Sequence, residues 1–196
     1  MINTINPATE AVEARFEAHT NEQVEQKLQA AAMAQHAWSL TPLEQRLSLL
    51  SRVAQVLRNR KPEFARLITL EMGKPIAEAE GEIEKCAATC DFYAANASRF
   101  LDDMAVASNA TESAVVFDPL GVVLAVMPWN YPFWQFIRFA APALAAGNGA
   151  LLKHANNVPQ CALALQEVFV QAGAPQGLVT TLLVEASEVA ALIADP

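Results

Sequence analysis

Nowhere does the sequence hold an apolar run of the roughly 18 residues that a membrane-spanning helix needs. Its opening, MINTINPATE, has neither the basic nor the apolar region of a secretory leader. A soluble cytoplasmic protein is therefore expected. Positive charge is scarce: 13 Lys and Arg stand against 21 Asp and Glu, a net charge of −8. An acidic surface argues against nucleic acid and anionic membranes as partners. There are three cysteines, an odd number without metal-site spacing, and no metal ligand set is expected. Internal repeats and low-complexity tracts are missing. So is any GxGxxG, which removes the usual dinucleotide fingerprint; AAGNGA at 145–150 reads as a helix stop followed by a turn.

What is present is a core-forming chain. Of 196 residues, 53% are hydrophobic and 17% charged, enough for one sizeable domain or parts of two. The first half has helical periodicity. Thr20 with Gln23 three residues later forms a capping box for a helix running to about Trp38, with the stripe Val24, Leu28, Ala31, Gln35, Trp38. TPLEQR starts a second helix, with Thr41 as cap, Pro42 in the first turn and the stripe Leu43, Leu47, Leu50, Ala54, Leu57. A third helix runs from about Pro62 to Gly73. In a long fourth helix the stripe Ile76, Ala79, Ile83, Cys86, Cys90, Tyr93, Ala97 steps by three and four. That spacing buries both thiols on one face, and Cys161 shares another stripe with Leu165, Val168 and Ala172. All three cysteines thus read as inert small apolar residues. Ahead of the helices, INPATEAVEARFEA reads as two short strands around a turn.

After about residue 112 the period changes. ESAVVFDPLG predicts a strand ending at Pro119; GVVLAVM (121–127) and GALLKH (149–154) predict strands buried on both faces; LVTTLLV (178–184) predicts a third. Helices are expected over 133–146 and 158–172, the latter closed by Gly173, and SEVAALIA opens one more. Strands alternating with helices through short loops indicate an α/β fold with a parallel sheet. Such sheets hold ligands beyond the carboxyl ends of their strands, where MPWN and KHAN fall.

Three polar residues stand out there, each with two readings. Asn130 is either an amide donor for an oxyanion or a helix N-cap. Lys153 ends an otherwise apolar strand, either reaching a ligand or snorkelling to solvent. Arg138 lies one turn after Trp134 on the same helix face, as a ligand-binding cation, a surface cation or half of a structural ion pair.

PWNYP followed by ALAAGNGALLK and AGAPQGLV, with EMGKPIAEAEGEI upstream, resembles the aldehyde dehydrogenase family. The likeness runs from INPAT to the last residue, and MPWNYPFWQ with LLKHANN is most similar to the succinate-semialdehyde branch. The resemblance implies a cysteine thiolate that attacks the aldehyde carbon, hydride transfer to NAD or NADP, and hydrolysis of the thioester by a glutamate-activated water. It implies that Asn130 donates to the oxyanion and that Lys153 holds the adenosine ribose. Met127, Pro128 and Trp129 would line the cofactor cleft; Trp134 and Arg138 would contact substrate, with Arg138, eight residues beyond Asn130, gripping a carboxylate. Many NAD-preferring members carry a glutamate where this chain has Asn156, so NADP is expected to be tolerated.

The implied organisation is a strand hairpin over 1–18, a helical part of the cofactor-binding domain over 19–106, an oligomerisation-type hairpin segment over 107–120 and an incomplete Rossmann-like sheet over 121–196. Members of the family are more than twice this length. The catalytic cysteine, the glutamate and the catalytic domain are therefore expected beyond Pro196, which makes this an amino-terminal fragment, inactive alone. The longer form is expected to be a homodimer or homotetramer. The alternative is a non-catalytic fragment that binds nucleotide weakly or docks on full-length subunits.

Overall fold

A computed structural model describes residues 1–195. Strands β1 (Ile2–Ile5) and β2 (Val12–Phe16) form the expected antiparallel hairpin. Helix α1 (Asn21–Ser39) starts at the predicted capping box: Gln23 N–H donates to Thr20 Oγ1, and Thr20 N–H donates to the Gln23 side chain. Gln35 keeps its place on the apolar stripe because its amide donates to the Gly147 carbonyl.

Helix α2 (Leu43–Asn59) begins differently from expectation. Thr41 does not cap it; its N–H donates to Trp38 O and its hydroxyl to Ala37 O, so it closes α1 instead. Pro42 takes the capping position without a side-chain bond. Helix α3 (Lys61–Met72) stops at Gly73, whose φ of 78° is the left-handed conformation that glycine adopts without strain. Helix α4 (Ile76–Leu101) buries Ala79, Ile83, Cys86, Cys90 and Ala97 as the stripe predicts. Ile76, the first residue of α4, is exposed.

Strands β3 (Met104–Ala105) and β4 (Ala114–Val115) pair antiparallel as a short exposed hairpin. The longer strand expected up to Pro119 is not formed. Val116 and Phe117 are exposed without a partner strand, and a two-stranded ribbon standing off the core has little to extend it.

The remaining elements are β5 (Val122–Met127), α5 (Trp134–Ala145), β6 (Gly149–His154), α6 (Pro159–Gln171), β7 (Val179–Thr181), a 3-10 turn at Ala186–Glu188 and α7 (Val189–Ala194). Strands β5, β6 and β7 pair in that order, all parallel. The fold class is the expected α/β. Ala150 and Leu152 of β6 pack into the large core with α5 and α6, while the intervening Leu151 packs on the α1 side with Ala31, Leu28 and Leu182. Period-two alternation thus covers both faces of β6, and every residue of that strand is buried.

Strand β5 departs from expectation: only Ala125 is buried and Val126 is 52% exposed. It lies at an edge of the described sheet, so its apolar run is covered on one flank only. Strand β7 is shorter than predicted; Leu182 N still donates to Leu152 O, and residues 182–184 stay buried off the ladder.

Candidate functional site

The carboxyl ends of β5 and β6 stand side by side, with Met127 paired to His154 and Val126 to Lys153. Ala155 N donates to Met127 O, which locks the two exits together. MPWN and KHAN therefore emerge at one edge of the sheet, the place where parallel α/β folds bind ligands.

Residues 128–133 bridge β5 to α5. Pro128, Trp129 and Asn130 are exposed, and Met127 is half-buried against the core. Asn130 does not cap α5. That task falls to Glu82 of α4, whose Oε1 accepts from Phe133 N at 2.8 Å and Trp134 N at 3.0 Å. A carboxylate at a helix N-terminus meets both the free N–H groups and the positive end of the dipole. Glu82 is itself buried and paired with buried Lys74, whose ammonium lies 3.7 Å from the Tyr131 ring centroid. The amide of Asn130 has no hydrogen-bond partner among the described residues.

His154 holds the same loop from the other side. Its Nδ1 accepts from Ala155 N at 2.9 Å, so its Nε2 carries the proton and donates to Pro132 O at 2.9 Å. Burial lowers the imidazole pKa to about 4, against the raising effect of the bond to Pro132. Near neutral pH the ring is uncharged and the tautomer is fixed.

Lys153 does not snorkel. It is 5% exposed, and its ammonium donates to His154 O at 2.9 Å and Asn156 Oδ1 at 2.7 Å. Burial lowers its pKa, and Glu185 opposes that. An ammonium carries three protons, so one donor remains for a ligand beside these two acceptors. That spare donor, on a buried cation at a strand exit, suits a ligand hydroxyl.

Trp134 and Arg138 meet as their spacing predicts: the guanidinium carbon lies 4.9 Å from the indole centroid. The structural ion pair considered for Arg138 is not found among the described residues. Lys85 of α4 reaches the same indole at 3.5 Å. Together with Ala88, Thr89, Phe92 and Tyr93 these side chains line an open, mostly apolar groove between α4 and α5. Aromatic walls with two cations suit a short carbon chain ending in an anion.

Cys86, Cys90 and Cys161 are fully buried. Burial raises all three thiols, Cys90 to about 12. No group of three metal-ligating side chains occurs among the described residues, and no helix there is long and apolar enough to cross a membrane.

Sequence reasoning missed Glu82, His154, Lys85 and Glu185. Glu82 carried a signal: it lies three residues after Ala79 and four before Cys86, on the apolar stripe. A carboxylate at a core position requires a partner. Glu71 shows the same pattern after Phe64 and Ile68; it caps α6 by accepting from Gln160 N at 2.8 Å and Cys161 N at 2.7 Å.

Among curated relatives, the chain is 50% identical to the "Probable succinate-semialdehyde dehydrogenase (NADP(+))" of Synechocystis sp., covering 99% of this chain and 43% of that protein. It is 45% identical to succinate-semialdehyde dehydrogenase (NADP(+)) 1 of Mycobacterium bovis, with 100% and 43% covered. Among solved structures it superposes on succinic semialdehyde dehydrogenase from Streptococcus pyogenes, in complex with NADP+, with a TM-score of 0.95 at 34% identity, covering 100% of this chain and 43% of that one. The chain thus spans less than half the length of the relatives it matches. The family model for the aldehyde dehydrogenase family matches residues 1–196 from end to end, and this chain belongs to that family.

Proposed function

We propose that this chain forms the nucleotide-binding part of an NAD(P)-dependent aldehyde dehydrogenase that oxidises a carboxylate-bearing semialdehyde, such as succinate semialdehyde, to the dicarboxylic acid. The observation that carries the reading is the groove between α4 and α5, where Arg138 stacks on Trp134 without a carboxylate partner among the described residues. A planar guanidinium steadied by an aromatic face is suited to bidentate carboxylate binding.

Asn130 is the catalytic residue of this segment. It lies exposed on a loop anchored at Phe133 and Trp134 by Glu82 and at Pro132 by His154. An uncharged amide held in this way can donate to a developing oxyanion at any working pH. Lys153 and Asn156 take the adenosine ribose, and Met127, Pro128 and Trp129 line the nucleotide cleft. NAD or NADP supplies the hydride acceptor when bound. Trp134 and Arg138 orient the semialdehyde by its distal carboxylate. The nucleophilic cysteine and the general-base glutamate come from outside residues 1–196, since each thiol present is buried and raised in pKa.

The organisation follows the same reading. Residues 121–196 supply the nucleotide-binding sheet, 19–106 its helical layer and 1–18 the covering hairpin. The segment 107–120, with strand β4 and most of the loop that joins it to β3, serves subunit pairing in a homodimer or homotetramer.

The test is a chimera in which residues 1–196 replace the matching segment of the mycobacterial relative. Succinate semialdehyde should be oxidised with far higher kcat/KM than an uncharged aldehyde of equal length. Equal kcat/KM for the two would remove the semialdehyde assignment.

A further inference from the structure

By its resemblance to the family, Asn156 stands where many NAD-preferring members carry a ribose-facing glutamate, and that exchange by itself removes a negative charge from the site. The fold brings a carboxylate back from another element. Glu185, just beyond β7 and ahead of the 3-10 turn, accepts from Asn156 Nδ2 at 2.6 Å. Asn156 Oδ1 in turn accepts from Lys153 Nζ at 2.7 Å. The three side chains form one connected row across the exits of β6 and β7, and the charge of Glu185 is felt at Lys153, whose pKa it raises. Only Oε2 of Glu185 is engaged by Asn156; the residue is exposed, and Oε1 has no hydrogen-bond partner among the described residues.

We propose that Glu185 is a specificity-determining residue that makes this nucleotide site select NAD over NADP. The inference rests on the assignment of Lys153 and Asn156 to the adenosine ribose made above. A carboxylate oxygen beside the ribose accepts from its free hydroxyls. A 2′-phosphate at the same place offers no donor in its ionised form and carries about −1.5 to −2 charge, which the carboxylate repels. Lys153 offsets this only in part, because two of its three protons are already given to His154 O and Asn156 Oδ1. The mycobacterial and Synechocystis relatives bear NADP(+) in their names. The prediction therefore sets this chain apart from proteins it otherwise resembles.

The experiment measures dissociation constants of NAD and NADP by titration calorimetry, on the 196-residue chain and on the chimera described above. NAD should bind more tightly by roughly 10- to 100-fold, the scale expected for like charges several ångströms apart near a protein surface. Glu185→Gln keeps an acceptor for Asn156 and removes the charge. It should tighten NADP binding by most of that factor and weaken NAD binding by a smaller one, since the carboxylate oxygen that accepts from the ribose hydroxyls is lost. The NAD preference should also shrink with added salt, as screening of the repulsion requires. NADP binding as tightly as NAD to the parent proteins, or a ratio untouched by both Glu185→Gln and Glu185→Ser in folded protein, overturns the proposal. Lys153→Met tests the underlying assignment separately: if it leaves both affinities unchanged, or if neither nucleotide binds either parent protein, the ribose-site reading falls and this inference with it.

Discussion

Glu82 lies 51 positions before Phe133 in the chain, yet its carboxylate takes the Phe133 N–H at 2.8 Å and so begins the helix that carries Trp134 and Arg138. The bond links the long helix α4 to the loop bearing Asn130. It also leaves Asn130 free, because the end of α5 is satisfied without it.

Removing Glu82 should therefore damage stability, whereas removing Asn130 should not. Glu82→Ala leaves the Lys74 ammonium buried and unpaired and frees two helix N–H groups, a loss of about 3–5 kcal/mol. Asn130→Ala at an exposed position that caps nothing should stay within about 0.5 kcal/mol. Urea denaturation of both variants measures this. A large loss for Asn130→Ala would restore the capping role.

Acid should weaken the fold through His154. Its pKa is about 4 when folded and 6.5 ordinarily, so below 6.5 the unfolded chain takes up a proton that the folded one refuses. The stability it contributes is complete above pH 6.5 and is lost as pH falls toward 4. The loss is about 2 kcal/mol by pH 5 and about 3 kcal/mol by pH 4. His19, also lowered by burial, acts in the same direction, and Glu71, raised by burial, in the opposite one. The informative quantity is thus the difference between the parent and His154→Gln in the pH dependence of the melting temperature. Parallel curves would show that His154 does not drive it.

The helical half of the fold was legible because its signals are local. The Thr20 capping box, the Gly73 stop and the cysteine stripe each lie within one or two turns. At the site, the Trp134–Arg138 pair was legible for the same reason, one helical turn apart. What escaped depends on tertiary neighbours. Apolar composition could not reveal that β5 would lie at an edge with Val126 half in solvent. Thr41 looked like a cap for the helix after it, but its hydroxyl was taken by the helix before it. Glu185 is 29 positions from Asn156, and no short-range pattern joins them.

The three cysteines should be silent in the native chain. Thiolate is the reactive form, and burial both hides these thiols and raises their pKa. A thiol reagent at neutral pH should modify none of them rapidly until denaturant is added. The 196-residue chain should also give no NADH with succinate semialdehyde and NAD. Rapid modification of one thiol in folded protein, or steady turnover free of contaminating enzyme, would contradict this.

Arg138 provides the sharpest test of substrate class. In the chimera with the mycobacterial relative, Arg138→Ala should hurt succinate semialdehyde far more than an uncharged aldehyde of similar length. A charge-assisted bidentate pair in a partly desolvated groove contributes on the order of 1.5–3 kcal/mol. That corresponds to roughly 10- to 150-fold in relative kcat/KM. Arg138→Lys should recover only part, because a point charge cannot reproduce the two parallel bonds. The nearby Lys85, 3.5 Å from the same indole, limits how complete the loss can be, since it leaves one cation in the groove. Lys85→Met combined with Arg138→Ala should therefore abolish the preference that Arg138→Ala alone leaves behind. If Arg138 instead served only to pack against Trp134, both aldehydes would lose activity equally and the melting temperature would fall with them.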